Sequence, residues 1–216
     1  MLTAPALLFA AITVGSCGQP PIVLTYGDSK TVMRKVGNVD DNEDDWQVVL
    51  KRELHCKISL NVGTVDGEGW IGTNGITVGQ RQDRIDADLA IMGTTAPTYI
   101  LVNLGTNDLT AMLQPEGDWK ADYLYILDAF HAKWPTAIVY CVTVWKLGED
   151  VDADTLAVWM ADVVAARSTF VRAGHDERVW LKGDDDGDTN TNDGIHYSRL
   201  GAIAHVAQWR ALIPGW

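Results

Sequence analysis

The chain reads as an α/β protein, a parallel sheet covered by helices, and three observations carry that reading. Five short apolar runs are mostly continuous rather than alternating, as in strands buried on both faces. Stripes of apolar residues at helical spacing lie between them. Polar and Gly-rich groups follow the runs, where the loops of a parallel sheet gather. The 216 residues are 47% hydrophobic and 21% charged, which suits one core-forming domain. The net charge of −12 repels phosphate backbones, and the basic pairs Arg34-Lys35 and Lys51-Arg52 are short. No nucleic-acid partner is therefore expected. No uninterrupted apolar run reaches the roughly 18 residues of a membrane span, so no transmembrane segment is expected either.

Taken in order, strands are expected at Ile22–Tyr26, Ile58–Val62, Tyr99–Leu104, Ala137–Val144 and Arg178–Leu181. The first helix follows the stripe Trp46, Val49, Leu50 and Leu54, with Asp44 and Asp45 complementing its N-terminus. Residues 78–92 hold another around Ile85, Leu89 and Met92. Trp119, Tyr123, Ile126, Leu127 and Phe130 mark a third, with Pro135 beyond its end. Leu156, Trp159, Met160, Val163 and Val164 mark a fourth. Leu200, Ile203, Ala204 and Ala207 mark the last, with Ser198 placed as its N-cap. Alternating strands and helices imply right-handed crossovers, and ligands then bind beyond the carboxyl ends of the strands.

Residues 1–19 are apolar and small, and Val14-Gly15-Ser16-Cys17 is like a lipoprotein processing site, although no positively charged region precedes it. The segment reads either as a signal or lipoprotein peptide or as an apolar stretch packed on the domain. The matching locations are secreted or envelope-attached in the first case and cytoplasmic in the second. Residues 20–216 read as one domain. Cys17, Cys56 and Cys141 show no C-x-x-C spacing, so a structural zinc site has no support. Cys141 falls in a strand and reads as a small core residue, and a Cys17–Cys56 pair stays open.

Four polar groups stand at the expected strand ends: Gly27-Asp28-Ser29-Lys30, the loop from Asn61 to Gly67, Gly105-Thr106-Asn107-Asp108, and Asp193-Gly194-Ile195-His196. Together they can make a nucleophilic hydrolase. A serine hydroxyl needs a base to take its proton, and His196 is the obvious one. An imidazole needs a partner that fixes its tautomer, and Asp193 stands three residues before it. A tetrahedral oxyanion needs uncharged donors, which the backbone N–H of Ser29, a Gly N–H of the second loop and the Asn107 amide can supply.

These groups resemble the blocks of the SGNH (GDSL-type) hydrolase family. Gly27-Asp28-Ser29 is similar to its first block, Gly105-Thr106-Asn107-Asp108 to its third and Asp193-Gly194-Ile195-His196 to its fifth, in order and across nearly the whole chain. The resemblance implies a flavodoxin-like three-layer α/β/α sandwich with five parallel strands in the order 2-1-3-4-5. It implies Ser29 as nucleophile, Asp193 and His196 as its partners, Asn107 as an oxyanion donor, and no metal or other cofactor. It also implies cleavage of short acyl esters, acetyl groups on carbohydrates among them, so the expected partner is a small-molecule or carbohydrate ester. A thioesterase or lysophospholipase with the same triad, and a non-catalytic flavodoxin-like binding module, are the rival readings. The second block departs from the family: Asp66 stands where the oxyanion glycine is usual, so the donor is assigned to Gly67, with Gly69 and Gly63 as fallbacks. Lys30 stands where the motif has Leu, a change expected to matter little.

The remaining signals are weaker. Asp184-Asp185-Asp186-Gly187-Asp188 lacks the glycine position and the glutamate of a calcium loop, and reads as a solvated acidic loop. His55, His131, His175 and His205 have no matching context and read as surface or helix residues. Trp46, Trp119, Trp159 and Trp209 fall on helix stripes and read as core. Trp70 and Trp145 sit in or near the strand-end loops, where they either line a substrate cleft or pack in the loop. No long apolar lid segment is present, which argues against long-chain lipids.

Overall fold

A computed structural model describes residues 21–31, 46–54, 57–61, 76–110, 112–182, 189–191 and 193–213. The strands are β1 (Ile22–Gly27), β2 (Lys57–Asn61), β3 (Tyr99–Asn103), β4 (Ile138–Thr143) and β5 (Val171–Asp176). They form one sheet in the order β2-β1-β3-β4-β5, and every neighbouring pair is parallel. Consecutive residues Val23, Leu24, Thr25 and Tyr26 of β1 are all buried, as are Ile100, Leu101 and Val102 of β3. Burial without alternation means that both faces of the sheet are covered.

The helices are α1 (Trp46–Leu54), α2 (Val78–Ile91), α3 (Glu116–Lys133), α4 (Asp150–Ala166), the single turn α5 (Glu177–Trp180) and α6 (Arg199–Leu212). They pack in two groups, α1 on α6, and α2 on α3 with α3 on α4. Local chemistry sets their ends. Thr77 and Gln80 form a reciprocal capping box at the start of α2. Ser198 caps α6 by accepting the Gly201 N–H at 3.1 Å. Glu116 and Asp118 place negative charge in the first turn of α3.

The chain leaves β1 for β2 on one side and returns to β3 on the other. The strand order thus reverses between β1 and β3, and sheets of this kind bind ligands at the carboxyl ends of such a pair. This switch point decides where a site can form.

Two sequence expectations shift. The last strand is Val171–Asp176, not Arg178–Leu181, most of which folds as the turn α5 behind the Asp176 cap. Arg172 and Ala173 of β5 are exposed, because an edge strand has a neighbour on one side only. The buried face of α6 is Gly201, Ala202, His205, Val206 and Trp209, whereas Leu200 and Ile203 point outward. Gly201 sets that phase: a Cβ there would collide with the Asn190 carbonyl oxygen, so the helix approaches closely along its smallest residues. Cys141 lies buried in β4 with its thiol pushed up to about 12 by burial, a core residue without thiolate chemistry.

Candidate active site

The first strand-end loop is built by Gly27 and Asp28. A Cβ on Gly27 would strike the Asn103 carbonyl oxygen, so glycine lets the end of β1 press against β3. The Asp28 N–H donates to that same oxygen at 3.1 Å. The Asp28 side chain is buried and ties two loops together. Its Oδ2 accepts the N–H groups of Gly105 (3.2 Å) and Thr106 (2.9 Å), and its Oδ1 accepts the Lys30 N–H at 3.1 Å. A carboxylate holding three backbone donors fixes the turn on which Ser29 sits.

The segment leading into α6 carries Asp193 to His196. Gly194 adopts φ +76°, and its carbonyl accepts the Leu147 N–H at 3.0 Å. Its N–H donates to Thr191 Oγ1 at 3.1 Å, and Thr191 bridges Tyr197 across the loop. Asp193 Oδ1 accepts the N–H groups of Ile195 (3.1 Å) and His196 (2.8 Å), which folds the loop back and leaves Oδ2 to face the ring.

Three side chains meet there in a line. Ser29 Oγ lies 3.1 Å from His196 Nε2, and His196 Nδ1 lies 2.7 Å from Asp193 Oδ2. Ser29 and His196 are 167 residues apart in the chain. Burial pushes the Asp193 carboxyl up, but the backbone N–H, ring and charge of His196 and the N–H of Ile195 outweigh it and hold the carboxyl below its usual range. Asp193 is thus an anion where the ring needs one, and its bond to Nδ1 leaves Nε2 facing a hydroxyl. The line can take a proton from Ser29 and hold it.

Asn107 sits in a 3₁₀ turn, Thr106–Asp108, just after β3. Its amide donates to the Ile76 carbonyl at 3.3 Å, and among the described residues its second amide hydrogen has no acceptor. Asp108 is buried and accepts the Val78 N–H at the start of α2 (3.1 and 3.4 Å). Burial pushes it up to about 7, with the Val78 N–H opposing and the charges of Asp28 and Asp122 adding.

Lys30, where the family motif has Leu, is held inside the fold. It is buried, and its Nζ donates to Glu177 Oε2 at 2.6 Å and to the Trp145 carbonyl. No sequence signal could have named Glu177 as its partner. Trp145 is 2% exposed, its indole N–H donates to Asp150 at 2.8 Å, and it has almost no surface for a substrate ring. Trp159, expected in the core, is partly exposed and lines an open surface groove of about 460 Å³ with Glu116, Val151, Asp154, Thr155 and Val158. His205 lies in helix α6, as one of the two readings had it, whereas His175 lies in β5; the two rings are buried neighbours with centroids 4.5 Å apart. Gly63, Gly67, Gly69, Trp70, Cys17, Cys56, His55, the apolar segment 1–19 and the acidic residues 184–188 lie outside the described residues. Among the described residues no group of three or more His, Cys, Asp or Glu could hold a metal ion, and no helix is long and apolar enough to cross a membrane.

Comparisons with known proteins bear on the fold and the family. Residues 25–202 match the model of the GDSL-like Lipase/Acylhydrolase family. No curated protein sequence matches the chain. Among solved structures, a psychrotrophic esterase from Pseudoalteromonas sp., inhibited by monoethylphosphonate, superposes with a TM-score of 0.61 at 14% identity over 88% of this chain and 95% of that one. A family 3 carbohydrate esterase from Clostridium thermocellum gives 0.60 at 16% over 89% and 94%. A family two carbohydrate esterase from the same organism, in complex with cellohexaose, gives 0.62 at 16% over 92% and 65%. At such identities the likeness is one of fold, whereas the family match spans most of the sequence: the chain belongs to the GDSL-like lipase/acylhydrolase family of hydrolases.

Proposed function

We propose that the protein is a serine esterase that removes short acyl groups, acetyl above all, from a small-molecule or carbohydrate alcohol, on a flavodoxin-like three-layer scaffold. The observation that carries this reading is the line from Ser29 Oγ through the His196 ring to Asp193, at 3.1 and 2.7 Å. Ser29 Oγ attacks the ester carbonyl as His196 Nε2 takes its proton, and Asp193 stabilises the imidazolium that forms. The oxyanion rests on the N–H of Ser29 and the Asn107 amide, with Gly67 as the third donor. Asp28 supports this arrangement by fixing Gly105 and Thr106, the residues just before Asn107. As the tetrahedral adduct collapses, His196 returns the proton to the leaving alcohol. Water, deprotonated by the same ring, then releases the acid from Ser29. The carbohydrate part of the reading draws on the two structurally similar carbohydrate esterases.

The test is hydrolysis of p-nitrophenyl acetate by the wild type and by Ser29→Ala. The wild type should turn over, and the variant should lose on the order of 10³-fold or more in kcat. An inactive wild type, or undiminished turnover by the variant, overturns the reading. Acetylated sugars compared with acyl thioesters then identify the alcohol.

A further inference from the structure

Glu177 sits at the end of the sheet as one acceptor on which four segments converge. Its Oε2 accepts Lys30 Nζ at 2.6 Å and the Trp145 N–H at 2.9 Å. Its Oε1 accepts the Tyr197 hydroxyl and the Asn103 amide, the latter at 3.4 Å. The Asn103 amide also donates to the Tyr197 oxygen at 2.8 Å. Lys30 is the chain neighbour of Ser29, and Tyr197 is the chain neighbour of His196. Glu177 therefore links the residue after the nucleophile to the residue after the base, while Trp145 and Asn103 anchor it to the ends of β4 and β3.

Stability does not call for this arrangement. Both side chains of the pair are fully buried. Two charges taken out of water carry a desolvation cost that their attraction offsets only with good geometry, and a packed apolar pair commonly does as well or better. What the pair has over an apolar contact is direction. Its bonds fix distances and angles across three loops that are remote in sequence, as a directional polar network can and dispersion cannot.

We propose that the buried Lys30–Glu177 pair, closed by Tyr197 and Asn103, is a positioning strut that holds Ser29 and His196 at bonding distance. This rests on the esterase reading above. Neither Lys30 nor Glu177 is a catalytic residue; each acts through a chain neighbour. Displacements near 1 Å at a reacting pair can cost about 100-fold in rate, so a strut one residue from each partner has a large lever.

The experiment uses the double variant Lys30→Leu/Glu177→Gln, which removes both charges together and keeps an acceptor oxygen at residue 177. Circular dichroism and thermal melting check that it folds. On p-nitrophenyl acetate, kcat should fall about 10- to 100-fold with KM within about twofold. In the proton NMR spectrum the Nδ1–H signal of His196 should broaden or shift. A folded double variant with kcat within about twofold of the wild type and an unchanged His196 signal overturns the proposal. If the double variant does not fold, Tyr197→Phe decides, because it deletes one hydroxyl and leaves the ion pair. A lower kcat with a moved His196 signal supports the strut; an unchanged kcat with an unmoved signal overturns it. The signal is read without substrate, so an inactive wild type overturns the esterase reading alone while the ring still reports on positioning.

Discussion

Replacing His175 with Gln should change how stability depends on pH, and the structure sets both sign and size. The ring lies at the end of β5, 5% exposed, against His205 and Trp209, and its Nδ1 accepts the Trp180 indole N–H at 3.4 Å. Burial pushes it down to about 4, with the Glu177 carboxylate opposing, the Lys30 charge adding and Asp176 opposing. In the unfolded chain the same imidazole titrates near 6.5. Between those values the unfolded state binds a proton that the folded state refuses, so stability is full above about 6.5 and is lost as pH falls toward 4. The loss is about 2 kcal/mol between pH 7 and pH 5, reaching about 3 by pH 4. Burial pushes His205 the same way. Asp108 works against them. Its folded carboxyl is pushed up to about 7, so the folded state binds the extra proton. Its contribution is full below about 3.9 and is lost as pH rises through 7, about 2 kcal/mol over the same pH 7 to 5 interval. The wild type thus carries two opposed terms. Urea unfolding at pH 7, 6 and 5 separates them. Relative to the wild type, His175→Gln should gain about 2 kcal/mol on going from pH 7 to pH 5, and Asp108→Asn should lose about as much. Curves for His175→Gln that run parallel to the wild type within about 0.5 kcal/mol would refute the burial argument.

Two further substitutions probe the loop that carries the base. Gly194→Ala puts a side chain on a residue at φ +76° with its Cβ 2.7 Å from Leu147, so it should cost about 1–3 kcal/mol and lower kcat, since His196 is two residues on. Unchanged melting together with unchanged turnover would contradict that. Asp193→Asn keeps an acceptor for the backbone N–H groups but turns an amide donor toward His196 Nδ1. The wrong tautomer then faces Ser29, and kcat should fall on the order of 10⁴-fold with little change in melting. A loss below about 10-fold would remove Asp193 from the orienting role.

Most of the scaffold was legible because buried strands and amphipathic helices leave periodic signals. The runs at Ile22 and Tyr99 and the stripe from Trp119 to Phe130 lie in β1, β3 and α3. Where the reading failed, burial had been inferred from hydropathy alone. VRAGHD is a poor apolar run because β5 is an edge strand, while RVWL is apolar in composition but lies largely in one helical turn. On α6 the apolar Leu200 and Ile203 face outward, because the close approach at Gly201 sets the phase. Ser29, Asp193 and His196 were legible as short motifs, one after β1 and one before α6, and the structure brings the three side chains within hydrogen-bond distance. Lys30 shows the limit most clearly. A cation next to the nucleophile looked incidental, and only the three-dimensional fold supplies its partner 147 residues away.

The central claim is that Ser29 is a nucleophile activated by His196. A fluorophosphonate probe reacts with an activated serine and needs no knowledge of the natural ester. Intact-protein mass spectrometry followed by peptide mapping should find one probe per chain, bonded to Ser29, with the reaction slowed by orders of magnitude in His196→Ala. An unlabelled wild type, a probe on another residue, or equal labelling rates in wild type and His196→Ala would contradict the account.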